Sequence, residues 1–410
     1  MTENANSAGL LRSGRFGVFW FSSLLSNIGT WMQLVAEPWL VLSLSGSAFL
    51  LGLDGFAMNA PFWALILLGG TLADTRDRRQ VIYFFQGIQM LCPLVIVALV
   101  LAGGIKAWII IALSLVVGVT DALSMPSFQS IIPSVVAPDE MRPAMALNSI
   151  QFNLSRVLGP VLAGLVMAKY GPVWCFSANA LSYIPFFFAA YWMLPRTGSR
   201  PAKAPEKQKA NPLSDLWGIV GHSQTGWMLL SVFCTSFLCG PLTTFITVVV
   251  KDALHADAGQ FGNVLTAFGA GGILGAIFIF LMARRAKAAT LSLGAALLCG
   301  LAIVPVLWIT DIWQMALLLA GAGLFLTVAN VSANTSLQLW ARGETRGQTV
   351  SLFMLAMRGG LSLGNLSMGA IAGLAGVQHT LMAGGLLAAA AQIFIFWKMR
   401  HHLTKNQDSL

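Results

Sequence analysis

The feature that most constrains this chain is a series of twelve long apolar stretches separated by polar breaks. A helix needs about 20 mostly apolar residues to cross the hydrocarbon of a bilayer, and stretches this long lack the alternation of a membrane β-strand. Only 10% of the 410 residues are charged, whereas a soluble domain carries about 25%. We therefore predict an all-α membrane protein with about twelve transmembrane helices. The predicted spans are Phe16–Leu42, Ala48–Leu72, Val81–Leu101, Trp108–Pro126, Ala144–Ala168, Val173–Leu194, Trp227–Val250, Phe261–Ala283, Thr290–Thr310, Ile312–Leu339, Val350–Ala375 and Leu381–Met399.

The distribution of positive charge predicts how these spans are oriented. If the amino terminus lies in the cytoplasm, 19 of the 24 Lys and Arg residues fall in cytoplasmic segments, and only Lys106, Lys169 and Lys251 fall in outer loops. An excess of such cations marks the cytoplasmic side of membrane proteins. We therefore predict a multi-pass protein with both termini in the cytoplasm. The net charge of +9 then reflects topology and contact with anionic lipid, and no nucleic-acid partner is expected.

A polar segment between the sixth and seventh spans divides the chain. Residues 195–222 contain four prolines, so the segment is too polar to span a membrane and too rich in proline to pack as a helix. It predicts a cytoplasmic linker between six-helix bundles at residues 1–194 and 223–410. The two halves also resemble one another at an offset of 205 residues, as in the pairs Gly159/Gly364 and Gly164/Gly369. Parallel repeats around a site at the membrane midplane are a known transporter architecture.

The loop after the second span carries the most specific motif, Gly69-Gly70-Thr71-Leu72-Ala73-Asp74-Thr75-Arg76-Asp77-Arg78-Arg79. A glycine here lets two helices approach closely, and a carboxylate at the membrane edge can accept hydrogen bonds from a neighbouring helix end. The segment resembles the signature loop of the major facilitator superfamily, G-x-L-a-D-r-x-G-R-R/K. The matching residues are Gly70, Leu72, Ala73, Asp74, Arg78 and Arg79, whereas Thr75 and Asp77 replace the usual arginine and glycine.

This resemblance implies the major facilitator fold of two six-helix bundles, with a latch on the cytoplasmic side. The latch residues would be Gly70, Asp74, Arg78, Arg79 and Asp121. Asp74 would contact the start of the eleventh span near Gln348, and Arg78 would pair with Asp121 in the fourth span. Such a latch holds the cytoplasmic side closed while the transporter faces outward. The alternative is a loop that only keeps positive charge on the inside.

Two further segments place the resemblance within the superfamily. Asn27–Gln33 in the first span and Asn148–Pro160 in the fifth are similar to a bacterial exporter branch that includes siderophore exporters and transmembrane secretion effectors. Gly159, Pro160 and Gly164 resemble part of the motif of drug:proton antiporters, whose upstream glycines this chain lacks. The resemblance implies efflux across a bacterial inner membrane.

Carboxylates within the spans are the candidates for proton coupling. An ionisable group at the centre of a bilayer costs at least about 2.5–3.5 kcal/mol, so each requires an explanation. Glu37 lies on a polar face of the first span with Asn27, Thr30 and Gln33, and Asp54 lies early in the second span. A dehydrated carboxylate can exchange a proton during transport, and we therefore name Glu37 and Asp54 as candidates. The alternative for each is a structural hydrogen bond or a hydrated position near the outer mouth.

Other polar residues within the spans are candidates for a substrate cavity. Arg156 in the fifth span and Arg358 in the eleventh could bind an anionic substrate group or form an internal salt bridge with a carboxylate of the spans. Asn330 and Asn334 are four residues apart and form either an inward polar patch or a packing contact between helices. The cavity candidates are Asn27, Gln33, Arg156, Asn330, Asn334 and Arg358.

The functional hypothesis combines these features. The sequence contains no G-x-x-x-x-G-K-S/T motif and no catalytic or metal-binding constellation, so we expect neither an enzyme nor a cofactor. The leading hypothesis is a secondary active transporter that exports small amphipathic molecules, drug- or siderophore-like, by proton antiport with alternating access. The alternatives are an uncoupled facilitator or importer of a metabolite, and a membrane sensor or assembly factor that does not transport. The expected partners are a small-molecule substrate, protons and the lipid bilayer, and the expected oligomeric state is a monomer.

Overall fold

The computed structural model describes residues 7–129, 131–193, 223–282, 287–341 and 346–405, which form helices without any β-strand. The α-helices are α1 Ser7–Arg12, α2 Gly14–Ser45, α3 Ala48–Asn59, α4 Pro61–Thr75, α5 Arg78–Leu101, α6 Ala107–Gln129, α7 Ile132–Val135, α8 Met141–Tyr170, α9 Val173–Met193, α10 Ser223–Leu238, α11 Leu242–Val248, α12 Ala258–Met282, α13 Ala288–Ile303, α14 Ile312–Trp340, α15 Arg346–Ala375 and α16 Val377–Lys405. Short 3-10 turns occupy Pro138–Glu140 and Val304–Trp308, and a π-helical turn occupies Val249–Ala253.

The predicted number of spans agrees with these helices. In the described part of the chain, 10 helical segments are long and apolar enough to cross a membrane. The helices α2 and α15, with 32 and 30 residues, are also long enough to span a bilayer. Both helices carry polar side chains along one face, and these side chains lower the mean hydropathy of α2 and α15 below that of the ten segments. The prediction of an all-α membrane protein with about twelve spans is confirmed.

Two of the spans are interrupted near their middle. The second span consists of α3 and α4, and α4 begins at Pro61, where the missing N–H and the fixed backbone angle of proline suit the first turn of a helix. The seventh span consists of α10 and α11, and Pro241 lies between them. A break inside a membrane span leaves backbone groups that other polar groups must satisfy. At the first break, Asn59 Nδ2 donates to the carbonyl of Gly55 at 2.9 Å.

The first compact unit contains α1, α2, α4 from Ala64, α5 to α9, and residues Asp257–Thr266. The long helix α2 packs against α8 and α9, and α5 packs against α6 and α9. Gly29 makes the α2–α9 contact close, since a Cβ atom at this position would lie 2.9 Å from Asn179 Cα. Toward the predicted cytoplasmic ends of these helices lies an apolar core built around aromatic side chains such as Phe19.

The second compact unit contains residues Gly46–Trp63, α10, α11 and the chain from Ala267 onward. The short helix α3 packs along α15, α10 packs against α15, and α13 packs against α14 and α16. The α3–α15 contact is close because two glycines face each other, and a Cβ atom on Gly369 would lie 3.0 Å from Gly52 Cα. Small residues permit this backbone approach in membranes.

The predicted bundle boundaries stay a prediction. The linker at residues 195–222 lies outside the described residues. The segment containing α3 belongs to the second compact unit because Gly52 brings it onto α15. Residues Asp257–Thr266 belong to the first unit because Gly262 packs against Gly164 of α8.

Candidate coupling and substrate sites

Glu37 is buried in the first unit, with 4% of its surface exposed, and both oxygens of its carboxylate accept hydrogen bonds. Gln33 Nε2, one turn earlier on α2, donates to Oε2 at 3.0 Å. Ser114 Oγ, on α6, donates to Oε1 at 2.6 Å. A carboxylate removed from water is tolerated only when such donors replace its hydration. The two donors therefore make the buried position of Glu37 possible.

The hydrogen bonding continues from Gln33 to α9. Asn179 Nδ2 donates to Gln33 Oε1 at 2.6 Å, and Thr30 Oγ1 lies 3.5 Å from Asn179 Oδ1. The polar face that the sequence predicts on α2 is thus turned onto α6 and α9, and it brings Gln33 and Glu37 into one network. We call Thr30, Gln33, Glu37, Ser114 and Asn179 the acidic network.

Arg156 is positioned by the contact between α2 and α8. Its guanidinium carbon lies 5.9 Å from the centre of the Trp31 ring, within the range of a cation–π interaction. Gly159, one turn later on α8, allows this packing, because a Cβ atom there would overlap the Trp31 side chain. Asn27, the remaining candidate on α2, is partly buried one turn before Trp31.

In the second unit, Arg358 is held where the second span is interrupted. Its NH1 group donates to Asn59 Oδ1 at 2.9 Å, and its guanidinium carbon lies 5.1 Å from the centre of the Phe62 ring. The neighbouring Gly359 allows the Trp63 indole to approach α15, since a Cβ atom there would lie 2.8 Å from the indole nitrogen. The arginine therefore has a polar amide on one side and an aromatic face on another, with its orientation set by α3 and α4.

The rest of the α3–α15 contact is also polar. Ser362 Oγ donates to the carbonyl of Phe56 at 3.2 Å, and Asn365 lies against Gly55. Asp54 is buried on α3, with 5% of its surface exposed. The two carboxylates named as coupling candidates, Glu37 and Asp54, therefore belong to different compact units.

The pair Asn330 and Asn334 lies on α14, and both residues are partly buried. Asn334 Oδ1 accepts a hydrogen bond from Gln338 Nε2 at 3.0 Å, one turn later on the same helix. This bond orients the Asn334 amide from within its own helix.

The end of the signature loop is fixed by aromatic contacts. The guanidinium carbon of Arg79 lies 5.5 Å from the ring centre of Tyr83 and 4.7 Å from that of Tyr191. Tyr83 in turn donates its hydroxyl to the carbonyl of Phe187 at 2.8 Å. Asp77, which replaces the glycine of the superfamily motif, caps α5 by accepting from the Arg79 N–H at 2.9 Å. Arg79 therefore helps to join α5 to α9.

The other latch residues are only partly described. The surroundings of Gly70 and the side chains of Asp74 and Arg78 lie outside the described residues, so their contacts with the eleventh span and with Asp121 stay predictions. The close helix approach that the structure does show is at the preceding Gly69, where a Cβ atom would lie 3.1 Å from Leu123 Cα. This contact brings α4 against α6 beside Asp121, which is itself partly buried.

Several functional or structural polar residues were missed by the sequence analysis. Ser114 and Asn179 complete the acidic network but were not named as candidates from the sequence. A second buried network joins α10 to α16: Ser231 Oγ donates to Gln392 Oε1 at 2.7 Å, and Gln392 Nε2 donates to Thr235 Oγ1 at 3.0 Å. We call these three side chains the neutral network. The available signal was a polar side chain within an apolar span, which favours a partner inside the protein.

Comparisons with known proteins agree with a transporter of this kind. The family described as transmembrane secretion effector matches residues 5–410. The Staphyloferrin A transporter of Staphylococcus aureus is 24% identical over 396 residues, covering 95% of this chain and 98% of that protein. The multidrug efflux pump Tap of Mycolicibacterium fortuitum is 25% identical over 385 residues, covering 88% of this chain and 90% of that protein.

The helical architecture is also found in solved structures. The crystal structure of a bacterial homologue of the human lysosomal transporter Spinster, in an inward-facing and unoccupied conformation, matches with a TM-score of 0.73. It is 16% identical in sequence, and the match covers 98% of this chain and 99% of that chain, so the likeness concerns the fold. Together with the family match over almost the whole sequence, these findings show that the chain belongs to the transmembrane secretion effector family of major facilitator transporters.

Proposed function

We propose that this protein is an exporter of small amphipathic molecules, drug- or siderophore-like, which exchanges its substrate for protons by alternating access. Glu37 takes up and releases the coupling proton. The observation that carries this proposal is the burial of the Glu37 carboxylate in a membrane-spanning helix, with hydrogen bonds from Gln33 and Ser114.

The physical argument concerns the cost of a buried charge. Removing a carboxylate from water costs several kcal/mol even when it is hydrogen-bonded, and a neutral side chain can join two helices without that cost. The neutral network does so with Gln392. A carboxylate in such a position is explained when its charge changes during the transport cycle, because proton uptake then removes the penalty in one state.

The substrate class is supported by the relatives and by Arg358. The similar proteins are named a staphyloferrin A transporter and a multidrug efflux pump. We propose that Arg358 binds an anionic substrate oxygen and that Phe62 contacts an apolar part of the substrate, while Asn59 orients the guanidinium. The other proposed cavity residues are Asn27, Gln33, Arg156, Asn330 and Asn334.

The remaining parts of the proposal concern topology and conformational change. We place the protein as a monomer in a bacterial inner membrane with both termini in the cytoplasm, and we assign residues 1–194 and 223–410 to two bundles that move against each other. The latch of Gly70, Asp74, Arg78, Arg79 and Asp121 would close the cytoplasmic side. Asp54 is the second candidate for proton coupling.

The test uses inverted membrane vesicles that contain the protein and are acidic inside. A panel of lipophilic cations, neutral drugs and anionic catecholates is added, and proton efflux is followed with a pH-sensitive dye. We expect some compounds to cause proton efflux with the wild-type protein and none to do so with Glu37→Gln. Asp54→Asn is tested in parallel and shows which of the two carboxylates carries the coupling proton.

The outcomes separate the competing functions. Proton efflux that is lost in Glu37→Gln supports antiport through Glu37, and efflux lost only in Asp54→Asn moves the coupling site to α3. If labelled compounds equilibrate faster than in empty vesicles without any proton movement, the protein is an uncoupled facilitator and the proposal is wrong. The absence of both activities in a folded protein would instead favour a sensor or assembly factor.

A further inference from the structure

The hydroxyl of Ser114 has two acceptors within hydrogen-bonding distance. Its Oγ atom lies 2.6 Å from Glu37 Oε1 and 3.0 Å from the carbonyl oxygen of Ile110, one turn earlier on α6. A serine hydroxyl has one proton to donate but can also accept hydrogen bonds. Ser114 is buried, with 4% of its surface exposed, so the choice between these acceptors is made inside the protein.

The two acceptors suit the two protonation states of Glu37. When Glu37 is ionised, Ser114 donates to Oε1 and Gln33 donates to Oε2. When Glu37 carries a proton on Oε1, that O–H donates to Ser114 Oγ, and the serine hydroxyl rotates to the Ile110 carbonyl. Gln33 keeps its hydrogen bond in both states. Neither state therefore leaves a buried polar atom of this group without a partner, a situation that would cost free energy.

We propose that Ser114 is a positioning residue that sets the pH at which Glu37 exchanges its proton, by rotating its hydroxyl between Glu37 and the Ile110 carbonyl. The inference rests on the proposed function of Glu37. It differs from a structural role for Ser114, because a serine that only joined α6 to α2 would not distinguish the two protonation states.

Other ionisable groups lie near this site or on the elements packed against α2, and none of them differs between the Ser114 variants. Cys92 on α5 is close enough to interact electrostatically with Glu37. The charged or titratable groups on the helices and segments packed around α2 also include Arg12, Asp121, Arg156, Lys169, Tyr183 and Asp257. Since all of them are present in each Ser114 variant, a change in pH dependence reports on the hydroxyl.

The test measures the pH profile of substrate-driven proton flux in Ser114→Ala and Ser114→Thr. We expect Ser114→Ala to move the midpoint of the profile upward by about one pH unit, because the hydrogen bond it loses is stronger to the ionised form than to the neutral form. Ser114→Thr keeps a hydroxyl and should keep the wild-type midpoint. The matched control is Ser336→Ala, since Ser336 is a buried serine that donates to the carbonyl one turn earlier at 2.8 Å.

Infrared difference spectra on proton uptake give an independent readout. The carbonyl stretch of protonated Glu37, identified by its absence in Glu37→Gln, should shift to higher frequency in Ser114→Ala because its O–H loses an acceptor. If Ser114→Ala does not accumulate, Ser114→Cys replaces it, and its weakly hydrogen-bonding thiol should move the midpoint in the same direction.

The outcomes distinguish this inference from the proposed function. If Glu37→Gln abolishes coupling but the midpoint and the infrared band of Ser114→Ala match those of the wild type, Ser114 has no such role. If Glu37→Gln retains full coupling, the assignment of the coupling proton to Glu37 is wrong, and the inference about Ser114 is overturned with it. A midpoint shift of equal size in Ser336→Ala would show that the effect is not specific to the acidic network and would also overturn the inference.

Discussion

The acidic network and the neutral network both join helices that are far apart in the chain, but only the acidic network reaches a third helix and contains a carboxylate. The acidic network links α2 to α9 and α6, and the neutral network links α10 to α16. At the repeat offset of 205 residues, Thr235 corresponds to Thr30, and both have hydroxyls that take part in these networks. The neutral network consists only of amide and hydroxyl groups, whereas the acidic network ends in the carboxylate of Glu37.

This difference distinguishes the groups that join helices from the group that can change its charge. In the neutral network, Gln392 Oε1 accepts from Ser231 and Gln392 Nε2 donates to Thr235, so the network satisfies itself without a charge. Joining two membrane helices therefore does not require a carboxylate. The carboxylate of Glu37 adds the ability to change charge, and this ability is what proton coupling needs.

The strongest test of this comparison places a carboxylate at a buried apolar position in the second unit. Leu242, buried at the start of α11, corresponds to Glu37 at the same offset. We expect Leu242→Glu to lower the free energy of unfolding by at least about 3 kcal/mol, because an apolar position offers no prepared donors for a buried charge. Denaturant titration in detergent micelles measures this, with Leu242→Met as the control. A Leu242→Glu protein as stable as Leu242→Met would show that Glu37 needs no special environment either.

A smaller effect is expected when the neutral network is removed. Gln392→Leu should lower the free energy of unfolding by about 1–3 kcal/mol, because the Ser231 and Thr235 hydroxyls lose a buried partner. Proton flux per transported substrate should remain that of the wild type, since no titratable group changes. Unfolding measurements together with the vesicle assay test this pair of expectations. Loss of coupling in a stable Gln392→Leu protein would contradict the assignment of a purely structural role.

The smallest expected effect on stability is that of Glu37→Gln. A glutamine amide can accept from Gln33 and donate to Ser114 Oγ, as protonated Glu37 does in our proposal, so at a pH that protonates Glu37 the free energy of unfolding should change by less than about 1 kcal/mol. Glu37→Leu removes these bonds and should be less stable than Glu37→Gln. Thermal unfolding of both variants in one detergent makes the comparison. If both lose stability equally, the network does not recognise the neutral form of the side chain.

Much of the architecture was predictable from the sequence, for a physical reason. Within a bilayer, a single spanning segment must satisfy its backbone hydrogen bonds internally. A long apolar stretch such as Val81–Leu101 is therefore expected to form a helix. The structure places α5 at Arg78–Leu101. Polar faces were also predictable, since Gln33 and Glu37 are one helical turn apart. The superfamily followed from the signature loop after the second span.

The partners of those polar faces were not predictable. Nothing local to Ser114 or Asn179 indicates that α6 and α9 turn these side chains toward α2. The break between Asn59 and Pro61 was likewise missed inside a continuous apolar stretch, although it places Asn59 beside Arg358. These features depend on how helices distant in sequence pack together, and small residues such as Gly29 decide that packing.

The sequence by itself determined that this protein is a bundle of membrane-spanning helices and that Glu37 is one of its few intramembrane carboxylates. These properties follow from each segment taken by itself, that is, from its length, its hydropathy and the penalty for a charge in hydrocarbon. Only the tertiary structure decided that Ser114 of α6 donates a hydrogen bond to Glu37 of α2, and that Asn179 of α9 donates to Gln33 of α2. Such contacts arise from the close approach of helices far apart in the chain, which hydropathy does not specify.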